Sequence, residues 1–307
     1  MVSKFIVTTT IHAPTEALIK YSKMKDWQLI VVGDLITPHE EYRNVDCIYL
    51  SPEDQEAKYP VLSNLIGWNT IARRNFGLLE AYELGAEIMA TVDDDNIPYD
   101  NWGGNVLVNT TALVDTYDAK EAFDPISVTE HNYLWHRGYP IELLPTKNDV
   151  KYLGKKERKV LVQADFWDAD PDIDAICRIT YKPNVKFNFK EHFASTKIAP
   201  FNCQNTFVSR EVIPHYFMHP FIGRMDDIWA SYYVQAVLPD SVIYGPASVY
   251  HDRNVHNLVN DIKLEMLGYE SSYKFIQDPI EYTKNNLPKE SILAQEEYAR
   301  IIKSLDS

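Results

Sequence analysis

The stretch Ala86-Glu-Ile-Met-Ala-Thr-Val-Asp-Asp-Asp-Asn96 decides how the rest of the chain is read. It opens on apolar residues of strand type and breaks off in three consecutive carboxylates, Asp93, Asp94 and Asp95. A buried strand ending in acids delivers them to the crevice where open α/β sheets bind ligands. Three adjacent acids repel one another and need a compensating charge. A hard divalent cation, Mg2+ or Mn2+, carrying a phosphorylated substrate would supply it, because such ions take oxygen ligands. A solvated acidic turn is the plain alternative, and the segments on either side weigh between the two.

Upstream, Lys4-Phe-Ile-Val-Thr-Thr-Thr10, Trp27-Gln-Leu-Ile-Val-Val-Gly-Asp34 and Val45-Asp-Cys-Ile-Tyr-Leu50 read as three strands rich in β-branched residues. Helical segments alternate with them, the pattern of a parallel sheet covered on both faces. Asp34 therefore also stands at a strand's C-terminal end, as a ligand contact or simply a turn residue. A helix is predicted over Asn69 to Leu84, stopped by Gly85. It carries Arg73, Arg74 and Asn75 in its first turns, with arginine suited to phosphate oxygens.

Downstream the pattern loosens. The basic run between Lys147 and Lys159 reads as a solvated loop, and no sharp boundary marks an independent second domain. Acids at 168, 170, 172 and 174 mimic a calcium loop, but Ile173 and Ile179 occupy the positions that need Gly and Glu, so an EF-hand is rejected. Asn202, Gln204 and Asn205 crowd amides onto a strand, which suits hydroxyl recognition because amides both donate and accept. Asp226 and Asp227 open an amphipathic helix; one complements the helix dipole and the other is a candidate general base. His251 ends a last strand region, Ser241 to Asp252, and is a candidate metal ligand. The tail from Asn254 to Ser307 is predicted helical, with Ile292, Leu293, Tyr298, Ile301, Ile302 and Leu305 on a face that docks on the body or on a second copy.

Bulk properties exclude several classes. The chain has 307 residues, 45% of them hydrophobic and 24% charged, ordinary values for a globular protein. A formal net charge of −14 argues against nucleic-acid or anionic-membrane partners. The three cysteines form no CxxC or disulfide framework, no apolar run is long enough for a membrane span, and no signal-peptide pattern is found. A cytoplasmic location is the resulting expectation. The P-loop, GxGxxG, HExxH and GxSxG motifs are absent, which removes most support for P-loop phosphotransfer, dinucleotide redox and serine hydrolysis.

The order Arg74-Asn75, Asp93-Asp94-Asp95-Asn96 and a distal His251 resembles the GT-A glycosyltransferase fold with its metal-binding DxD signature. Asp168-Ala-Asp-Pro-Asp-Ile-Asp-Ala175, Pro200-Phe-Asn-Cys-Gln-Asn-Thr206 and Asp227-Ile-Trp229 are similar to blocks of the STELLO glycosyltransferase-like proteins. His136-Arg-Gly-Tyr-Pro140, Arg224-Met-Asp-Asp-Ile-Trp229 and Val249-Tyr-His251 are similar to blocks of the reversibly glycosylated polypeptides, which are UDP-arabinopyranose mutases. The resemblance implies a mixed, mainly parallel α/β sheet flanked by helices. A catalytic domain would cover 1–253, its nucleotide-sugar half about 1–100 and its acceptor half about 101–253, with a helical extension over 254–307.

By the same resemblance Thr8, Thr9, Thr10 and Asp34 would hold the nucleoside, Arg74 with Asn75 beside it would lie near the diphosphate, and Asp93 would meet the ribose or sugar; Asp94 beside it is a further candidate for substrate binding. Asp95 and His251, with Asp93 beside them, would bind Mn2+ or Mg2+. Asp227, or Asp226, would act as base, and Arg137 matches the arginine that the mutases glycosylate. Asn202, Gln204 and Asn205 would hold a glycan or other hydroxyl acceptor. The implied activity is metal-dependent sugar transfer from a nucleotide-diphosphate sugar, with UDP the expected nucleotide. The alternatives are a UDP-sugar mutase and a non-catalytic partner of another glycosyltransferase.

Overall fold

The structure, a computed structural model, describes residues 3–254 and 257–307; Val255 and His256, within the expected C-terminal extension, lie outside the described residues, as do Met1 and Val2. Among the described residues eleven strands join in one sheet. Strands β1 (Lys4–Thr10), β2 (Gln28–Gly33) and β3 (Ile48–Leu50) run parallel, in company with helices α1 (Glu16–Tyr21), α2 (Pro52–Lys58) and α3 (Pro60–Ile66). The chain then returns through α4 (Arg74–Glu83) and lays β4 (Ile88–Val92) parallel on the other flank of β1. That reversal of strand order is the topological switch that opens a crevice beyond the strand ends.

The predicted helix over 69–84 is divided into a 3-10 turn, Ile71–Arg73, and α4. Thr70 caps the turn, its Oγ1 accepting from the Ala72 amide at 3.2 Å. Gly77 lets α4 lie flush on the sheet, because a Cβ there would stand 2.5 Å from Val7 Cγ1 and 2.9 Å from Val32 Cγ2.

Beyond β4 the sheet becomes mixed. Strands β5 (Asn96–Pro98), β6 (Thr111–Asp118), β7 (Lys151–Lys159), β8 (Val162–Ala169), β9 (Phe193–Ser195), β10 (Asn205–Ser209) and β11 (Val242–His251) complete the order β3-β2-β1-β4-β10-β8-β11-β9-β6-β7, with β5 paired to β11. β10 is antiparallel to β4 and β8, whereas β8 and β11 run parallel. The α/β sheet flanked by helices that the sequence predicts is the observed fold. One expectation is corrected: the basic run placed in a solvated loop is mostly strand β7, the outer edge of the sheet beside β6. Lysines on an edge strand discourage pairing with other chains, so the charges that hid the strand from its hydrophobic pattern suit its position.

Helices α5 (Ala175–Tyr181) and α6 (Asp226–Val237) follow β8 and β10, and the tail forms α7 (Leu258–Gln277), α8 (Pro279–Asn286) and α9 (Lys289–Leu305). The tail shares core with the body. Trp229 of α6 stacks on Phe275 of α7 with ring centroids 4.4 Å apart, and the Tyr298 hydroxyl of α9 donates to the Ile213 carbonyl at 3.2 Å. Tyr298, Ile301 and Ile302 are buried as expected, but Leu293 is 40% exposed. Among the described residues no helix is long and apolar enough to cross a membrane.

Candidate active site

The chain leaves β4 at Val92, and the next three side chains go to three different partners. Asp93 Oδ1 accepts from Arg74 Nη2 at 2.5 Å. Asp94 Oδ2 accepts from the Thr10 hydroxyl. Asp95 Oδ2 lies 3.5 Å from His251 Nε2 and 3.4 Å from Asn254 Nδ2. The repulsion that the sequence assigned wholly to a cation is thus relieved in part by the protein. Burial pushes the Asp93 carboxyl up to about 6, with Arg74 pulling it down and Asp95 and Asp94 adding to the rise. Burial also raises Asp94. Burial acts on Asp95 too, but His251 more than offsets it and holds that carboxyl below the usual range.

His251 is fixed from both sides. Strand β11 pairs it with Asn96 of β5, and its Nδ1 donates to the Asp170 carbonyl at 2.6 Å. That bond leaves Nε2 as the nitrogen facing Asp95, the arrangement in which a backbone carbonyl orients a metal-binding imidazole. The Asp95 Oδ1 atom is buried without a partner. Asp93, expected as a third ligand, is instead committed to Arg74, and among the described residues no group of three His, Cys, Asp or Glu side chains is arranged to hold a metal ion. Asp95 and His251 alone fit one, provided a ligand's phosphate oxygens complete the coordination, as Mg2+ commonly requires.

A cavity of about 370 Å3 opens beside Asp93, lined by Gln204, His219, Arg224, Asp226, Asp227 and Leu264 among others. A second of about 250 Å3 is lined by Thr9, Thr10, Asp34 and Asp94, and the segment Asn69–Thr70–Ile71 borders both. Asp34 holds that segment, its Oδ2 accepting from the Asn69 amide at 2.8 Å. A third hollow, about 480 Å3, is lined by Asp94 and Asp95 together with His12 and Asn254.

Arg137 and Asp227 line the first cavity and belong to a buried charge network that extends behind it to Asp172. Arg137 donates to Asp172 from Nε at 2.8 Å and Nη2 at 2.9 Å, to Asp227 from Nη1 at 2.9 Å and Nη2 at 3.0 Å, and to the Arg224 carbonyl. All five guanidinium N–H groups are thereby occupied. Asp227 also accepts from the Cys203 amide at 3.1 Å. Burial raises Asp227, but Arg137 outweighs it and keeps the carboxyl below its ordinary range. Asp226 differs: burial, then the Asp227 charge, pushes it up to about 8 against the pull of Arg137.

Several residues expected in the site are structural. Arg74 is fully buried and donates to the Val92 and Cys203 carbonyls, each at 3.1 Å, and to the Cys203 thiol, so it supports Asp93 from below rather than presenting itself to a diphosphate. Asn75 clamps the Met218 backbone with two bonds, of 2.8 and 3.0 Å. Asn205 accepts from Trp102 Nε1 at 2.9 Å and donates to the Phe166 carbonyl at 3.0 Å, and Asn202 donates to Asp172 at 2.9 Å. Of the three amides Gln204 alone lines the cavity, and its Oε1 has no partner. Thr9 and Thr10 line the second cavity, whereas Thr8 is buried within β1. Arg137, expected as a glycosylated nucleophile, has no nitrogen to spare.

Sequence reasoning missed Asp172, His219, Arg224 and Leu264. The density of acids over 168–174 is the sequence signal that points to Asp172. Nothing in the local pattern marks His219, which burial lowers to about 3 and whose Nδ1 contacts Ser291 Oγ at 2.9 Å.

A switch-point crevice with a carboxylate–imidazole pair at the strand ends places the molecule among α/β proteins that bind ligands at the C-terminal edge of the sheet. In sequence the chain is similar to STELLO2 of Arabidopsis thaliana, a probable glycosyltransferase, at 25% identity over 278 residues; the match covers 81% of this chain and 36% of that protein. It is likewise 25% identical to STELLO1 of the same plant over 284 residues, again 81% and 36%. The chain thus spans about a third of the length of these curated relatives, and no family model matches it. Among solved structures, glucosyl-3-phosphoglycerate synthase from Mycobacterium tuberculosis with Mn2+, UDP and phosphoglyceric acid aligns over 94% of this chain and 80% of its own, with a TM-score of 0.49 and 12% identity. The same enzyme with Mg2+ and UDP aligns over 87% and 76%, with a TM-score of 0.45 and 9% identity.

Proposed function

We propose that the chain is a metal-dependent glycosyltransferase of the GT-A type that moves a sugar from a nucleotide-diphosphate sugar, with UDP the expected nucleotide, to an acceptor hydroxyl. The observation that carries this reading is the Asp95–His251 pair, with the imidazole set by Asp170 and Asp95 Oδ1 left without a partner. The sequence similarity to the STELLO proteins points the same way. A divalent ion held there, Mn2+ or Mg2+, would neutralise the departing diphosphate as a Lewis acid.

The remaining roles fall to the chain's own residues. Thr9, Thr10, Asp34 and the 69–71 segment border the hollow in which the nucleoside would sit. Asp93, braced by Arg74, offers an acceptor oxygen to a donor hydroxyl. Gln204 lies where an acceptor or donor hydroxyl would pass. Asp226 would take the proton of the attacking hydroxyl, since a base poised near the working pH is the efficient one. Asp227, held ionised by Arg137, is too weak a base for the part. The saturated guanidinium of Arg137 tells against the mutase alternative, because a nucleophilic nitrogen there would have to give up a charged bond first.

Calorimetric titration with UDP, with and without Mn2+, tests the reading. The expected result is metal-dependent binding that Asp95→Asn and His251→Gln each weaken on the order of tenfold or more. Binding that is metal-independent and indifferent to both substitutions would reject it and favour the non-catalytic alternative.

A further inference from the structure

Asp172 lies in the loop after β8 and does not line the cavity. Both of its carboxylate oxygens receive Arg137, and Oδ2 also receives Asn202 Nδ2 at 2.9 Å. The other edge of the same guanidinium holds Asp227. One buried cation is therefore shared between two anions, and the triplet carries a net negative charge. Asp226, the neighbour of Asp227 at the start of α6, faces the cavity and accepts the Asp227 amide at 2.9 Å.

Resting on the reading of Asp226 as the proton acceptor, we infer that Asp172 is a positioning residue for it: by sharing Arg137 with Asp227, Asp172 governs how readily Asp226 takes up a proton. With Asp172 neutral, the charge of Arg137 is balanced by Asp227 alone. The field at Asp226 then becomes more positive, which favours its ionised form.

The other charges near Asp226 are not bonded to Asp172. Arg224 stands on the turn before α6, and α7 sets Glu265 at 3.0 Å and Asp261 at 3.9 Å from it. Asp93 shares the cavity from the end of β4, and the Cys203 thiol approaches from the lead-in to β10. His219, between β10 and α6, is kept neutral by burial across the working range. Of all these groups Arg137 alone bonds to Asp172 among the described residues.

The test is the pH titration of the Asp226 carboxyl carbon by NMR in aspartate-labelled protein, its signal assigned with Asp226→Asn. Asp172→Ser and Asp172→Asn are compared with the unaltered chain. Serine leaves room for a water on the Arg137 N–H groups, whereas asparagine turns an amide donor toward them, so the serine variant is the safer folder. The midpoint of Asp226 is expected to fall by about one pH unit in both. Asp172→Glu, which keeps the charge, is expected to restore it even where its thermal midpoint is lowered. A folded Asp172→Ser protein with an unmoved Asp226 midpoint overturns the inference, because a purely structural role lowers stability and rate without moving that titration. If the midpoint moves while the pH profile of sugar transfer stays put, the coupling stands and the reading of Asp226 as base falls.

Discussion

Replacing Arg74 by methionine tests how Asp93 is held in the crevice. The guanidinium has no exposed surface and donates to Asp93, to the carbonyls of Val92 and Cys203, and to the Cys203 thiol. Methionine fills much of the space, so the loss is chiefly electrostatic. Removing one member of a buried ion pair costs about 3–5 kcal/mol, because the other charge stays behind. The Asp93 side chain keeps 21% exposure and can turn to solvent, which puts the expected cost at the lower end, about 3 kcal/mol. Asp93→Asn leaves Arg74 its carbonyl partners and should cost about 1–3 kcal/mol. The double variant should fall short of the sum of the two by about 1–2 kcal/mol.

Thermal unfolding followed by circular dichroism reads these values. At this chain length a loss of 1 kcal/mol lowers Tm by roughly 2–4 °C, so Arg74→Met should melt about 6–12 °C lower. The pH dependence supplies a second check. The folded-state pKa of Asp93, about 6, is raised above its unfolded value, so the unfolded chain releases that proton first. Asp93 therefore costs stability progressively as pH rises from about 4 to about 6. Without Arg74 its pKa climbs further, and the window of falling stability should extend above pH 6. If the two single substitutions add within about 0.5 kcal/mol, the pair is not what fixes Asp93, and the reasoning is refuted.

Asp226→Asn should cut the rate of sugar transfer by about 10²–10⁴-fold. In the unaltered protein kcat/KM should rise with pH to a plateau, with a midpoint at about 8 as Asp226 loses its proton; a profile flat from pH 6 to 9 would remove it from the role. Gly223 has φ +63°, and a Cβ there would run into the Leu264 carbonyl, so Gly223→Ala should destabilise by about 1–3 kcal/mol, and an unchanged Tm would show that the contact yields freely. Intact-mass analysis after incubation with UDP-sugars should find no sugar on Arg137, because its five N–H groups are already bonded; an adduct there would revive the mutase reading.

The parts of the site set by strand ends were legible in the sequence. A run of β-branched residues breaking into acids places Asp93–Asp95 at the crevice whatever the details of packing, and His251 at the end of the last strand arrives beside them through the β5–β11 pairing. Amides were harder to read. Asn75, Asn202 and Asn205 spend their hydrogen bonds on Met218, Asp172 and the Trp102–Phe166 region, contacts made across the fold that no local pattern encodes. The same holds for Asp226 and Asp227. They are adjacent in sequence, yet Arg137, ninety residues away, locks Asp227 as an anion, while burial and the Asp227 charge keep Asp226 protonatable. For Arg74 the sequence shows a guanidinium shortly before the acids but not that it is fully buried beneath them.

The involvement of α7 has a practical outcome for anyone wishing to shorten the protein. Leu264 contributes to the cavity lining, and the Glu265 carboxylate reaches Arg224 on one side and the Ala175 amide at the start of α5 on the other, at 2.7 Å. Cutting after the final strand would strip away one side of the binding hollow together with the brace on the segment leading into Asp226. What remained would keep the hollow bordered by Thr9, Thr10 and Asp34, while the cavity beside Asp226 would lose its Leu264 wall and open to water.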